Sequence, residues 1–239
     1  MTFKLFIIKI ASQAVRRLPK KLQTVMALAY FYSQLKKNKL KSLEPEWISL
    51  DRFVSKGDLV LDVGANIGRY TFRLANLVGD TGLVISVEPI SRIFYMLVTL
   101  AYLNNYKNII FLNAALSNLC HLAAIQEDWA YSDDFIFCTN TASKLTENTQ
   151  ANKLILKFDD NLIKRKVSLI KIDVEGLEYS VCLGLLKYIK RDWPVIIVEN
   201  NDPAVLDLFC NIGYQQDNPS AISRNLILLP PMLSPLEGL

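Results

Sequence analysis

From residue 57 onward, short continuous apolar runs alternate with segments whose apolar residues recur every three or four positions. "DLVLDV" (58–63) is one such run, rich in β-branched residues, and suits a strand buried on both faces. "GRYTFRLANLVG" then places Tyr70, Leu74 and Leu77 at helical spacing. The same alternation continues with a strand in "GLVISVEP" (82–89), a long apolar helix in "SRIFYMLVTLAYLNN" (91–105) and a strand in "NIIFLNAAL" (108–116). Later come a strand in "VSLIKIDVEG" (167–176), a helix in "YSVCLGLLKYIK" (179–190), a strand in "WPVIIVEN" (193–200), a helix from about Pro203 to Cys210 and a last strand in "RNLILLP" (224–230). Regular βαβα order with short connections predicts an α/β fold with a doubly wound, mostly parallel sheet.

One interval breaks this rhythm. Residues 117–166 hold no convincing long helix, and "HLAAIQ", "DFIFCT" and "KLILKF" look like short strands around a polar stretch. They are expected to form either a β-arm or lid beside the ligand site or a peripheral hairpin. Residues 218–239 carry four of the nine prolines and predict an irregular tail.

Charge separates the front of the chain from the rest. Residues 1–41 contain ten Lys and Arg and no acid, whereas the remaining residues hold 17 basic and 23 acidic groups. Within the front, apolar stretches and basic clusters predict two short helices broken near Pro19. Residues 1–43 are therefore read as a basic amphipathic helical extension and 44–239 as the main domain. Such an extension can cover the domain, form a homodimer, or rest on an anionic membrane surface. Nucleic acid is the least suited partner, because the acidic remainder repels phosphates. No run reaches eighteen apolar residues, so a conventional membrane span is not expected. Cys120, Cys138, Cys182 and Cys210 lack metal-like spacing and read as reduced core thiols of a cytoplasmic protein. A lone histidine, His121, cannot build a His-based metal site.

The turn after the first strand, "GANIG" (64–68), falls where a doubly wound sheet binds ligands. Gly64 and Gly68 permit a tight turn and close approach, although such glycines also serve simply to turn a strand into a helix. The dinucleotide fingerprint needs a middle glycine that is absent, and the phosphate loop needs Gly-Lys-Ser/Thr, also absent. What remains is a nucleoside ligand without phosphates. Glu88, ending the second strand 20 residues beyond Gly68, can accept hydrogen bonds from both ribose hydroxyls, or can be a plain strand-end carboxylate.

Taken together, "DVGANIGRYT" (62–71), "VEP" (87–89), "NAALSN" (113–118), "FDDNL" (158–162), "IKIDVEGLE" (170–178) and "IIVEN" (196–200) resemble, in that order, the motifs of FkbM-type methyltransferases. The resemblance implies a class I, Rossmann-like S-adenosylmethionine-dependent O-methyltransferase fold with a seven-stranded sheet whose last strand is antiparallel. It implies that Asp62, Gly64, Ala65, Asn66 and Gly68 position the amino-acid tail of S-adenosylmethionine, that Glu88 binds its ribose, and that Ala114 and Ala115 flank the adenine. Asp173 would face the sulfonium and the acceptor, with Glu175 and Glu178 following within one turn. A carboxylate there can take the proton of an acceptor hydroxyl. Asp173, Glu175 and Glu199 could instead hold a divalent ion, which is not the expected arrangement. The implied acceptors are saccharides, glycolipids or natural-product hydroxyls. A catalytically inactive nucleoside-binding scaffold and an N-methyltransferase are the alternatives; against the latter, Asp173 is followed by Val-Glu-Gly and not by the Pro-Pro-aromatic run of nucleic-acid enzymes. Helix 91–105 departs from the family in being more apolar, with Leu100 where Asn is common, and the insertion at 119–152 matches no family motif.

Overall fold

The computed structural model describes Val15, 17–42, 44–125, 145–146, 153–158, 162–174, 176–199, 202–217 and 225–231. Among these residues the chain runs α1 (Lys20–Lys36), α2 (Pro45–Ile48), β1 (Leu59–Val63), α3 (Arg69–Val78), β2 (Leu83–Val87), α4 (Ser91–Leu103), β3 (Ile109–Leu112), β4 (Ala115–Leu116), β5 (His121–Ile125), β6 (Leu145–Thr146) and β7 (Lys153–Leu156). It continues through β8 (Val167–Ile172), α5 (Glu178–Asp192), β9 (Val195–Glu199), α6 (Pro203–Asn211), β10 (Gln215–Asp217) and β11 (Asn225–Leu229).

Seven strands form the main sheet in the order β10-β11-β9-β8-β1-β2-β3. All are parallel except β11, which runs antiparallel to both β9 and β10. The central strands β1, β8 and β9 are buried almost throughout, which explains why they read as unbroken apolar runs. Strand order reverses at β1, so the switch point lies between β1 and β8, beyond their carboxyl ends. β10 escaped the sequence reading because it is a polar edge segment, Gln-Gln-Asp, with no apolar face to signal it.

The strand expected over 108–116 is two strands. Asn113 Nδ2 donates to the carbonyl oxygens of Glu88 (2.8 Å) and Pro89 (3.2 Å), and the chain then leaves the main sheet. Beyond this clasp β4 pairs with β7, and β7 with β5, in a second, four-stranded sheet. This sheet seats closely on α5: a Cβ on Gly184 would stand 2.2 Å from the Ser117 carbonyl oxygen. "HLAAIQ" and "KLILKF" give β5 and β7, while "DFIFCT" lies outside the described residues.

After Pro19 the front of the chain is one 17-residue helix. Gln23, Ala27 and Phe31 turn inward, and Arg92 of α4 donates to Thr24 Oγ1 (2.6 Å) and the Lys20 carbonyl (2.8 Å). Ala27 and Phe31 share a buried cluster with Ile93, Met96, Leu97 and Leu100. The unusual apolarity of α4, including Leu100, thus follows from the helix laid against it. The expectation that the cysteines are core thiols holds for buried Cys182 and fails for Cys120 and Cys210, which are exposed; these three are free, and Cys138 lies outside the described residues.

Candidate functional site

The turn after β1 is built by backbone contacts. Gly64 and Ala65 both donate from N–H to the Val87 carbonyl (2.9 and 3.0 Å), and the Asp173 N–H donates to the Val63 carbonyl (3.0 Å). Gly64 has φ 81°, and a Cβ there would lie 1.8 Å from the Asp173 carbonyl oxygen. The loop and the end of β8 are therefore pressed together in a way that only glycine permits. Asn66 also has positive φ (52°), and its side-chain Oδ1 accepts from the Ile67 N–H (2.8 Å), a local bond that helps Asn tolerate this region.

Glu88 braces the loop from β2. Its Oε2 accepts from the Asn66 N–H (2.8 Å) and its Oε1 from the Ile90 N–H (2.7 Å). The side chain is only 5% exposed, and burial pushes its carboxyl up to about 7, against the pull of the two amides. Each oxygen keeps a second lone pair for a ligand hydroxyl.

Asp62 faces inward. It is fully buried; its Oδ2 accepts from Thr71 Oγ1 (2.6 Å), which lies 3.1 Å from Ser86 Oγ, and its Oδ1 has no hydrogen-bond partner among the described residues. Burial raises the Asp62 carboxyl above its ordinary value, against the pull of Lys171. Asp62 thus ties β1 to α3 and stands behind the loop.

On the other side of β1, Asp173 Oδ2 accepts from Lys171 Nζ at 2.8 Å. The two side chains share a face because they are two residues apart at the end of a strand. Lys171 is 4% exposed and Asp173 40%. Burial works against the Lys171 charge, but Asp173 and Asp62 outweigh it, and the ammonium's pKa stands above the ordinary lysine value. The ammonium also sits 4.6 Å from the centre of the Tyr70 ring, and the Tyr70 hydroxyl donates to Glu44 Oε2 (2.6 Å). Burial, then the Glu44 carboxylate, push the Tyr70 hydroxyl well above the usual phenol range.

These groups line one cavity of about 110 Å³ with Ser42, Gly64, Ala65, Asn66, Ile67 and Arg69. Sites for whole drug-sized ligands run to about 300–1,000 Å³, so this cavity suits one end of a ligand. A larger cleft lined by Asn76, Asp80 and Asn104–Asn108 lies at the far ends of α3 and α4, away from Glu88 and Asp173.

Of the residues expected from sequence, Gly64, Ala65, Asn66 and Asp173 line the cavity at the switch point, whereas Gly68 and Glu88 are not part of its lining and Glu88 touches the loop through the Asn66 N–H. Ala114 and Ala115 are buried where the chain crosses to the second sheet. Glu178 is 1% exposed, and its Oε1 accepts from the Gly176 N–H (3.0 Å), which closes the turn before α5 and leaves it off the cavity lining. Glu175 lies outside the described residues. Among the described residues no group of three His, Cys, Asp or Glu gathers as a metal site. Sequence reasoning missed Lys171, Tyr70 and Glu44. Lys171 had a signal, being the one charge inside a strand that is apolar but for Ser168; the Glu44–Tyr70 pair, 26 residues apart, had none.

The positive-φ loop after β1, the acid just past β2 and the one reversed strand in the sheet are the arrangement expected of a class I methyltransferase. The match to the methyltransferase FkbM domain extends over residues 62–215, most of the chain, and the protein belongs to that family. S-adenosylmethionine is its cofactor, and the spare lone pairs of Glu88 fit the hydroxyls of that molecule. Among solved structures the chain is similar to the methyltransferase FkbM from Methylobacillus flagellatus KT, at 18% identity and TM-score 0.49, covering 91% of this chain and 58% of that one. It is also similar to Aeropyrum pernix fibrillarin in complex with natively bound S-adenosyl-L-methionine, at 13% identity and TM-score 0.45, covering 74% and 67%. An rRNA methylase from Streptococcus thermophilus matches at 12% identity and TM-score 0.46, covering 78% and 95%. No curated protein matches the sequence.

Proposed function

We propose that the protein is an O-methyltransferase acting on a hydroxyl of a saccharide, glycolipid or natural-product acceptor. The observation that carries this reading is the half-exposed Asp173 carboxylate, held by Lys171 in the lining of the switch-point cavity, with the Asp173 backbone carbonyl packed against Gly64. The cofactor supplies an electrophilic methyl group when bound. The chain's part is to hold and align. The glycine loop takes the amino-acid end, and Glu88 accepts from the ribose hydroxyls. Ala114 and Ala115 leave room at the base. Asp173, fixed in direction by Lys171, would take the proton that the acceptor hydroxyl gives up on being methylated. Carboxylates suit a hydroxyl acceptor better than a planar base. The scattered cysteines, three of them free, support a cytoplasmic setting for this reaction.

The test is a panel of glycan and lipid-linked acceptors incubated with S-adenosylmethionine and read by mass. A gain of one methyl group on a hydroxyl, abolished in Asp173→Asn, supports the reading. Methylation on nitrogen, or turnover unaffected by Asp173→Asn, overturns it.

A further inference from the structure

Helix α1 has two apolar faces, and the domain uses only one. At 3.6 residues per turn, Gln23, Ala27 and Phe31 stack along the side that meets α4. Leu22, Val25, Met26 and Ala29 follow the i, i+3, i+4, i+7 pattern on the opposite side. That side is open: Leu22 is 45% exposed, Val25 61% and Met26 37%, with Ala29 exposed beside them. The apolar residues of α1 do not form one stripe against the protein; they divide between the domain and solvent. A contiguous exposed apolar stripe on a helix marks a contact surface.

We propose that this outer face of α1 docks on an anionic lipid bilayer, with the helix lying flat in the interface. Charge selects the occupant. Lys20 and Lys21 flank the stripe at one end, Lys36, Lys37, Lys39 and Lys41 at the other; all six are exposed, and none forms an ion pair among the described residues. A second copy of the chain would bring the same lysines face to face, whereas an anionic headgroup layer neutralises them. Apolar side chains framed by lysines at both ends suit a helix that lies at the interface. No described helix is long and apolar enough to cross a membrane. The chain that leaves α1 passes from Lys41 directly to Ser42 and Glu44, which line the switch-point cavity, so the docked helix is continuous with the wall of the site. This surface stands apart from the methyl-transfer reading, because vesicle binding is measured without acceptor or turnover.

The experiment is co-sedimentation of the full chain with phosphatidylglycerol vesicles and with phosphatidylcholine vesicles, at low and high salt. The wild type should pellet with the anionic vesicles at low salt and stay in solution with the neutral ones. Val25→Glu/Met26→Glu should lower partitioning about tenfold or more, as charge enters the buried face, while the melting temperature and S-adenosylhomocysteine affinity stay unchanged. Leu22→Ser/Val25→Ser, which adds no charge, should give a smaller loss in the same direction. Wild-type protein that ignores anionic vesicles, or variants that pellet as well as wild type, would overturn the proposal. So would a wild-type dimer in sedimentation velocity that these substitutions split into monomers, since the face would then belong to a second copy.

Discussion

Glu88 and Asp173 are each the first residue past a strand that pairs with β1, Glu88 after β2 and Asp173 after β8. Their surroundings differ in every other respect. Glu88 is 5% exposed, with each oxygen on a backbone N–H, and its carboxyl is pushed up to about 7 by burial. Asp173 is 40% exposed and has a buried ammonium for its partner. A carboxylate locked on two amides is suited to hold neutral hydroxyls in a fixed place. One that faces solvent from a single charged anchor can meet an acceptor and take a proton. The two positions are equivalent in the topology, and what lies behind each of them makes the difference: two backbone amides behind Glu88, a buried ammonium behind Asp173.

That comparison can be broken at four places. The largest effect is expected for Asp173→Asn, which keeps the shape and removes the base: turnover should fall about 10²–10⁴-fold in single-turnover methyl transfer with a validated acceptor. Next comes the seam between the two halves. Gly64→Ala forces a side chain into the left-handed region and against the Asp173 carbonyl. Strain of this kind costs about 1–3 kcal/mol before the clash is counted. Thermal unfolding should show a melting temperature roughly 2–12 °C lower from the strain alone, at about 2–4 °C per kcal/mol for a chain of this size. Lys171→Met should be milder. It removes one charged hydrogen bond, worth about 1.5–3 kcal/mol, so turnover should drop about 10–100-fold. S-adenosylhomocysteine affinity, measured by calorimetry, should change far less, and Lys171→Arg should recover part of the rate.

The smallest effect is expected from pH acting on Glu88. Between pH 4.5 and about 7 the folded, ligand-free protein holds a proton that the unfolded chain has released. Its stability should therefore fall as pH rises through that window, by about 3 kcal/mol at most, and level off above it. Ribose hydroxyls donate to the ionised form, so cofactor affinity should move the other way. With a midpoint near 7, the S-adenosylhomocysteine Kd should tighten about tenfold from pH 6 to pH 8, and Glu88→Gln should flatten that profile.

The fold was legible where burial makes sequence monotonous. β1, β2, β8 and β9 are apolar because both faces are covered, and their order alone leads to the doubly wound sheet. β10 was not legible, since an exposed edge of two glutamines and an aspartate has no pattern to read. Neither was the split of β3 from β4, which depends on the side chain of Asn113 reaching back to Glu88 and Pro89. At the site, local motifs gave Gly64, Gly68, Glu88 and Asp173. The Lys171–Tyr70–Glu44 chain depends on contacts between distant segments and left no spacing to find. α1 shows the same limit: its sequence displays abundant apolar residues, but only packing against α4 decides which of them are used.

The division between the holding and the reacting carboxylate is tested most directly by calorimetric titration of S-adenosylhomocysteine into wild type, Glu88→Ala and Asp173→Asn at pH 8. The account predicts that Glu88→Ala weakens binding by about tenfold or more, through loss of charge-assisted hydrogen bonds, while Asp173→Asn stays close to wild type. Normal affinity in Glu88→Ala together with collapsed affinity in Asp173→Asn would contradict it.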